Sequence, residues 1–374
     1  MKVILFANTD WYLYNFRRDL ALALRGQGHQ VVLVSPGGEY VARLQAMGLR
    51  WLSFDLSRRG MNPFKELAAI IRLTRLYHRE RPDITHHFTI KPVLYGSLAA
   101  QFTGIAAVVN SITGLGYIFV PSGNLKRLFK WFVQLFYRIV MRRTQVIFEN
   151  AEDRDTFLHQ GIVIPEKAHL IAGVGIDTER FKPATTSGDP PVALLASRML
   201  WDKGVGEFVE AARLIRTRGV PARFALAGRN DPGNPSSIPE AQLEAWREEK
   251  AIEWWGWQED MPAVLAKADI VCLPSYYREG VPTILIEAAA CGRPLVATDM
   301  PGCRDIVQDG VNGILVPVRD SSALARALRT LLESPSLRQN MGARGRQITE
   351  QRFSSKAVLA ETLAVYNLAS GRRV

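Results

Sequence analysis

Ile270-Val271-Cys272-Leu273-Pro274-Ser275-Tyr276-Tyr277-Arg278-Glu279-Gly280-Val281-Pro282-Thr283-Ile284-Leu285-Ile286-Glu287-Ala288-Ala289-Ala290-Cys291-Gly292-Arg293-Pro294 is the stretch that decides how this chain folds. Its apolar opening run reads as a buried strand, a glycine-containing loop follows, and Pro282 stands in the first turn of a helix. A strand, loop and helix in this order leave backbone N–H groups and the positive helix end free to receive a diphosphate. Glu279 in the loop and Glu287 in the helix can divide a ligand between them. One carboxylate can face a sugar while the other reaches a ribose, because carboxylates accept well from vicinal hydroxyls. Taken alone, such a pair is more often a solvated loop acid and a helix-surface acid, and the neighbouring motifs reverse that reading.

Working back from this stretch, Ala196-Ser197-Arg198-Met199-Leu200-Trp201-Asp202-Lys203-Gly204 follows another strand, Val192–Ala196. Arg198 and Lys203 are placed to neutralise a departing diphosphate, since fixed cations stabilise developing negative charge without a metal. Further runs at Ala222–Ala227, Leu295–Ala297 and Gly313–Val316 continue the rhythm. Before the Pro/Ser/Gly-rich stretch Lys182–Pro191, the same alternation occurs: strands Val3–Phe6, Gln30–Ser35, Ile84–His87, Ala107–Asn110 and Val146–Glu149 alternate with amphipathic stretches. Repeated βα units predict mainly parallel sheets covered by helices. The expected domains are 1–182 and 183–353, with a last helix, about 354–369, able to pack back on the first.

Composition agrees with two globular domains: 374 residues, 47 % hydrophobic and 22 % charged. The opening apolar run is too short for a signal peptide, and no stretch reaches the ~20 apolar residues of a membrane span, so a cytoplasmic location is expected. Cys272, Cys291 and Cys303 are odd in number and lack metal-ligand spacing, which favours buried thiols. The formal charge is +11; residues 1–180 carry 23 basic against 14 acidic side chains, and the remainder 24 against 22. A basic first half suits an anionic partner, either nucleic acid or an acidic membrane surface.

Together the Glu279/Glu287 spacing and the Arg198/Lys203 segment resemble the signature of the retaining glycosyltransferases of family 4. Val174-Gly175-Ile176-Asp177 with Phe181 and Pro183, Ala268–Ser275, and Pro301-Gly302-Cys303-Arg304-Asp305-Ile306-Val307 extend that resemblance over essentially the whole chain, most strongly in 192–317. It implies a GT-B fold, two Rossmann-like domains facing across a cleft. It also implies a nucleotide-sugar donor held by Arg198, Lys203, Gly228, Glu279, Gly280, Val281, Pro282, Thr283 and Glu287, no cofactor and no metal, and retained anomeric configuration through front-face displacement. Tyr14-Asn15-Phe16-Arg17, Ser57–Phe64, Gly114-Leu115-Gly116 and Asp231-Pro232-Gly233-Asn234-Pro235 resemble the branch that extends undecaprenyl-diphosphate-linked sugars. That branch implies a UDP-sugar donor and a lipid-linked saccharide acceptor at the inner face of the cell membrane.

In the first domain, the loops Asn8-Thr9-Asp10-Trp11 and Thr113-Gly114 follow strand ends and are expected at the acceptor sugar, with Arg17 and Lys91 at its diphosphate. The family's active-site histidine has no clean counterpart, because alignment through Lys91 puts Phe88 where a second histidine usually stands. His86 or His87 can still reach the donor sugar from the end of its strand, and each can equally be satisfied internally. Asp153-Arg154-Asp155 is a formal Asp-x-Asp at a helix start, where acids complement the helix dipole. Residues 124–143 carry Lys126, Lys130, Gln134, Arg138 and Arg142 at four-residue spacing among aromatics, the pattern of a helix lying on an anionic membrane. Competing readings are a transferase acting on a soluble acceptor, a nucleotide-sugar epimerase or a phosphorylase, and a basic nucleotide- or nucleic-acid-binding protein. The last lacks a reader motif and leaves the Glu279/Glu287 and Arg198/Lys203 constellation unexplained.

Overall fold

The computed structural model describes residues 1–56, 62–114, 135–184 and 189–372. The chain forms two compact units, Met1–Gly175 with Ser355–Val374, and Ile176–Ser354. Gly175–Ile176 is therefore the seam, ahead of the 182/183 boundary suggested by the Pro/Ser/Gly-rich stretch. The reason is local: Ile176 N donates to Phe353 O at 2.8 Å, and Ile176 bridges Ser354, so residues 176–184 already belong to the second unit.

The first unit holds seven parallel strands, β1 (Lys2–Phe6), β2 (Gln30–Ser35), β3 (Arg50–Ser53), β4 (Ile84–Phe88), β5 (Ala107–Ile112), β6 (Gln145–Phe148) and β7 (Ala168–Leu170), in the order β3-β2-β1-β4-β5-β6-β7. Val3, Ile4, Leu5 and Phe6 are completely buried, as expected of a central parallel strand covered on both faces. The helix Ser355–Ser370 returns to this unit, where Val358, Val365 and Tyr366 share a core with Leu5, Leu33 and Val109.

The second unit holds six parallel strands, β8 (Val192–Ala196), β9 (Arg223–Ala227), β10 (Glu253–Trp254), β11 (Ile270–Leu273), β12 (Leu295–Thr298) and β13 (Gly313–Val316), ordered β10-β9-β8-β11-β12-β13. Its core joins Leu195, Leu226, Cys272 and Val296 of the strands to Phe208, Leu243 and Leu328 of the helices. Both sheets reverse strand order, between β1 and β4 and between β8 and β11, and the carboxyl ends flanking such a reversal are where open α/β sheets bind ligands. Each unit is thus a Rossmann-like α/β fold.

Helix starts follow their caps. Asn62 Oδ1 accepts from Phe64 N and Lys65 N at 3.1 and 3.3 Å, with Pro63 as first residue of Pro63–Glu80. Asn150 Oδ1 accepts from Asp153 N at 2.8 Å while Asp153 Oδ2 accepts from Asn150 Nδ2 at 2.9 Å, so the first acid of the Asp-x-Asp serves the start of Ala151–His159. Among the described residues, no helix is long and apolar enough to cross a membrane.

Candidate active site

In the second unit, β8 runs into the Ser197–Leu200 loop and a single turn, Trp201–Lys203. β11 runs into Pro274–Pro282 and the helix Thr283–Ala290. Backbone and side chains tie the two loops: Tyr276 N donates to Asp202 O at 3.0 Å, and Ser275 Oγ lies 3.1 Å from the same oxygen. Across the reversal, Lys203 Nζ lies 2.6 Å from Glu279 Oε2, and Ser275 Oγ donates to Glu279 Oε1 at 2.9 Å. Arg198 reaches sideways to Asp231, 2.8 Å away, at the half-exposed mouth of the same edge.

Two glycines let these loops come close. Gly228 has φ +139°, and a Cβ there would stand 1.8 Å from Ser197 O. Gly302, φ +78°, would put a Cβ 1.7 Å from Gly280 O, in the loop that carries Glu279. Both positions therefore require glycine. Pro282 is the cap residue before Thr283–Ala290 rather than a member of its first turn, and the first N–H groups of that helix lack intrahelical acceptors. Val281 is buried, so its side chain packs inward, and it can offer a ligand backbone groups only. Glu287 is partly exposed, and its carboxylate makes no hydrogen bond or ion pair among the described residues. Burial pushes its carboxyl up to about 8, against the opposing pull of Arg180.

In the first unit, Asn8, Thr9, Asp10 and Trp11 leave β1 at the reversal. Asp10 Oδ1 accepts from Trp11 N at 2.9 Å and Oδ2 from Tyr40 N at 2.8 Å, fixing this loop to the one after β2. Thr113 and Gly114 end the described part of the loop after β5. Lys91, at the start of Ile90–Thr103, pairs with Glu66 at 2.7 Å, and Tyr95 Oη donates to the other Glu66 oxygen at 2.6 Å.

Three expected residues sit inside the unit instead of at this edge. His86 lies with Nδ1 2.8 Å from Tyr366 Oη and Nε2 2.7 Å from Ser111 Oγ. His87 Nδ1 lies 2.8 Å from Asn110 Oδ1 and Nε2 3.0 Å from Tyr77 Oη. Both rings are buried with both nitrogens engaged, and burial lowers both imidazoles, His87 to about 4. In this structure neither presents a nitrogen to a donor sugar. The cause is position: both residues lie within β4, whose alternating side chains enter cores on either face. Arg17 is also buried: it stacks 4.3 Å from the Phe88 ring, donates to Tyr12 Oη at 2.6 Å, and lies 3.6 Å from Glu149. An internal carboxylate thus already partners the cation expected at a lipid diphosphate.

The sequence reading missed Ser275 and Asp202, which hold Glu279 and its loop, Asp231, which orients Arg198, and Glu66, which orients Lys91. It also missed Thr89, directly after β4, a non-glycine residue with φ +69° whose Oγ1 is buried without a partner among the described residues. Backbone strain of this kind costs ~1–3 kcal/mol and gathers at ligand sites. No sequence signal marks it, though its place directly after a strand at the reversal could have. Of the membrane helix expected over 124–143, residues up to 134 lie outside the described residues, as do Arg58, Arg59 and Leu115–Tyr117. Residues 135–141 are helical, with Tyr137, Val140 and Met141 buried and Arg138 Nε donating to Gln160 O at 3.1 Å.

Residues 2–150 match the glycosyl transferase 4-like family, and residues 190–334 match the glycosyl transferases group 1. Over 98 % of both chains, the protein is 27 % identical to the N,N'-diacetylbacillosaminyl-diphospho-undecaprenol alpha-1,3-N-acetylgalactosaminyltransferase of Campylobacter jejuni subsp. jejuni serotype O:2. It is 26 % identical to the UDP-Gal:alpha-D-GlcNAc-diphosphoundecaprenol alpha-1,3-galactosyltransferase of Escherichia coli, over 72 % of this chain and 71 % of the other. Among solved structures it resembles a glycosyltransferase from Rickettsia africae ESF-5 (TM-score 0.81, 18 % identity, 98 % of each chain). It also resembles Anabaena Alr3699/HepE in complex with UDP (TM-score 0.77, 21 % identity, 97 % of this chain and 100 % of the other). At these identities the structural likeness is one of fold. With both of its Rossmann-like units matched by glycosyltransferase models, the chain belongs to the family-4-type glycosyltransferases of the GT-B fold.

Proposed function

We propose that the protein is a configuration-retaining, metal-independent transferase. It moves a sugar, an N-acetylhexosamine or a hexose, from a UDP-sugar to a polyprenyl-diphosphate-linked saccharide in the assembly of a bacterial surface or glycoprotein glycan. The observation that carries this reading is the Lys203–Glu279 pair across the strand reversal of the second unit, beside Arg198 and the start of Thr283–Ala290. Similarity to two transferases named for diphosphoundecaprenol-linked acceptors, and likeness of fold to a UDP complex, support the choice of substrates.

In this reading Lys203 and Arg198 exchange their carboxylate partners in part for the donor diphosphate, and the helix N–H groups complete its cradle. Glu287 takes the ribose hydroxyls and Glu279 orients the sugar. As the bond from the anomeric carbon to the β-phosphate oxygen breaks, that oxygen takes the proton of the acceptor hydroxyl. The acceptor oxygen bonds the anomeric carbon from the same face, so configuration is kept and UDP leaves with the proton. Lys91, held by Glu66, faces the acceptor diphosphate, and the loops 8–11 and 113–114 shape its sugar. The enzyme works at the inner face of the cell membrane.

The experiment is UDP release from a panel of UDP-sugars in EDTA, with and without a short-chain polyprenyl-diphosphate saccharide, followed by NMR of the product's anomeric centre. Acceptor-dependent release with an unchanged anomeric configuration is expected. Turnover only with soluble sugars would remove the lipid carrier, an inverted product would remove the front-face route, and dependence on an added divalent metal would overturn the mechanism.

A further inference from the structure

The helix Pro63–Glu80 buries Ala69, Leu73 and Tyr77 against Ile4, Phe6 and Val32 of the first sheet. Its opposite face is unusual. Phe64, Leu67 and Ile71 are 82, 56 and 45 % exposed and stand three and four residues apart, so they form one ridge. Lys65, Arg72, Arg75 and Arg79 surround or continue it, all exposed. Both carboxylates of the helix are drawn off the outer face: Glu66 to Lys91 and Tyr95, and the buried Glu80 to Arg50 at 2.8 Å, Lys2 at 3.3 Å and Arg79 at 3.5 Å. The outer face thus presents apolar side chains and cations with no acid of its own.

Beside the ridge, Arg72, Arg75 and Arg79 line a cavity of about 430 Å³ together with Phe54 and Asp55. Arg72 lies over the Phe54 ring and donates to the backbone carbonyl of Asp55 at 3.3 Å, and Asp55 is the one acid among the lining residues against three arginines. The ridge also has a direction. Its Phe64 end is the helix start, and Glu66 in that first turn grips Lys91 at the start of Ile90–Thr103, at the ligand edge of the sheet.

We propose that this face docks the protein onto an anionic bilayer. Phe64, Leu67 and Ile71 enter the boundary between headgroups and acyl chains, and Arg72, Arg75 and Arg79 take lipid phosphates. Isolated exposed apolar residues are ordinary, but an aligned ridge flanked by cations is the composition of an interfacial helix. The acidic surface answers the basic excess of the first half of the chain, which a second copy of this face would repel. Docking this way sets Lys91 at the level of a lipid-borne diphosphate, which deepens the lipid-acceptor reading and depends on it for its purpose, though not for its test.

The test is flotation of the full-length protein with vesicles of phosphatidylcholine alone and of equal parts phosphatidylcholine and phosphatidylglycerol, at low and high salt. Two multiple variants accompany it, Phe64→Ser/Leu67→Ser/Ile71→Ser and Arg72→Glu/Arg75→Glu, checked for unchanged melting and for unchanged turnover of a water-soluble short-chain acceptor. Wild-type protein is expected on the anionic vesicles, salt-sensitively, and each variant is expected to partition at least about tenfold more weakly. Wild-type protein that ignores anionic vesicles, or variants that float undiminished, would overturn the proposal. So would a dimer abolished by the ridge variant without vesicle binding. Loss of flotation in both variants of an enzyme that proves to use only soluble sugars would keep the docking surface and sink the lipid acceptor instead.

Discussion

Lys203 Nζ and Glu279 Oε2, 2.6 Å apart, join the loops leaving β8 and β11, the neighbouring strands between which the second sheet reverses its order. Each side chain is mostly shielded from solvent, so removing either leaves the other as an uncompensated charge. Lys203→Ala and Glu279→Gln are each expected to lower kcat/KM by ~10²–10³. The double variant should lose much less than the product of the two. Steady-state UDP release read as a double-mutant cycle checks this, and simple multiplicativity would mean that the pair does not act as a unit.

Gly228→Ala and Gly302→Ala each place a Cβ inside contact distance of a backbone oxygen. The loops must move, because neither Ser197 O nor Gly280 O is the end of a flexible side chain. We expect a stability loss of ~1–3 kcal/mol together with weakened UDP-sugar binding. Denaturant unfolding and calorimetry measure the two, and full binding in both variants would show that the close approach is not needed by the donor.

Glu287 supplies a pH signature. Held near 8 by burial, its carboxyl is mostly protonated in the free protein at neutral pH. Ribose hydroxyls that donate to the carboxylate favour the ionised form, so UDP-sugar affinity should rise toward pH about 8 and level off above it, by at most about tenfold per pH unit. A UDP-sugar is the right probe, because its diphosphate diester has no proton to titrate in this window. Affinity independent of pH in the wild type, or the same slope in Glu287→Gln, would take the ribose from this residue.

His87 acts on stability instead. Its imidazole lies near 4 in the folded chain and at an ordinary 6.5 once unfolded, so between those values the unfolded chain binds a proton that the folded chain excludes. Its contribution is complete above about 6.5 and is lost as pH falls toward 4, on the order of 3 kcal/mol at the limit. His87→Ala should destabilise by ~2–4 kcal/mol yet leave kcat of the folded enzyme nearly unchanged. A kcat loss of a hundredfold in stable protein would return this histidine to the active site.

What could be read ahead of the structure divides along physical lines. The central strands β1, β2, β8, β11 and β12 were evident, because strands buried on both faces are unbroken apolar runs, and β13, though at a sheet edge, showed the same apolar run Ile314-Leu315-Val316. The edge strands β3, β7 and β10 were not: they are short, partly exposed and mixed in composition, as sheet edges usually are. The helix Pro63–Glu80 also went unmarked, though its cap, Asn62-Pro63, was there to be read.

Sequence by itself determined the repeated βα order, the basic first half and the local group Arg198, Lys203, Glu279, Gly280 and Glu287, because each depends on residues near one another in the chain. Only the tertiary structure decided that Lys203 faces Glu279, that Arg17 spends its charge on Glu149, and that His86 and His87 point into cores. It also decided that the outer face of Pro63–Glu80 is left with cations and an apolar ridge. Those outcomes depend on which strand lies beside which and on the face to which each side chain turns. Neither is fixed by spacing along the chain, because strand neighbours here are separated by tens of residues, and a shift of one residue in a strand turns the side chain to the other face.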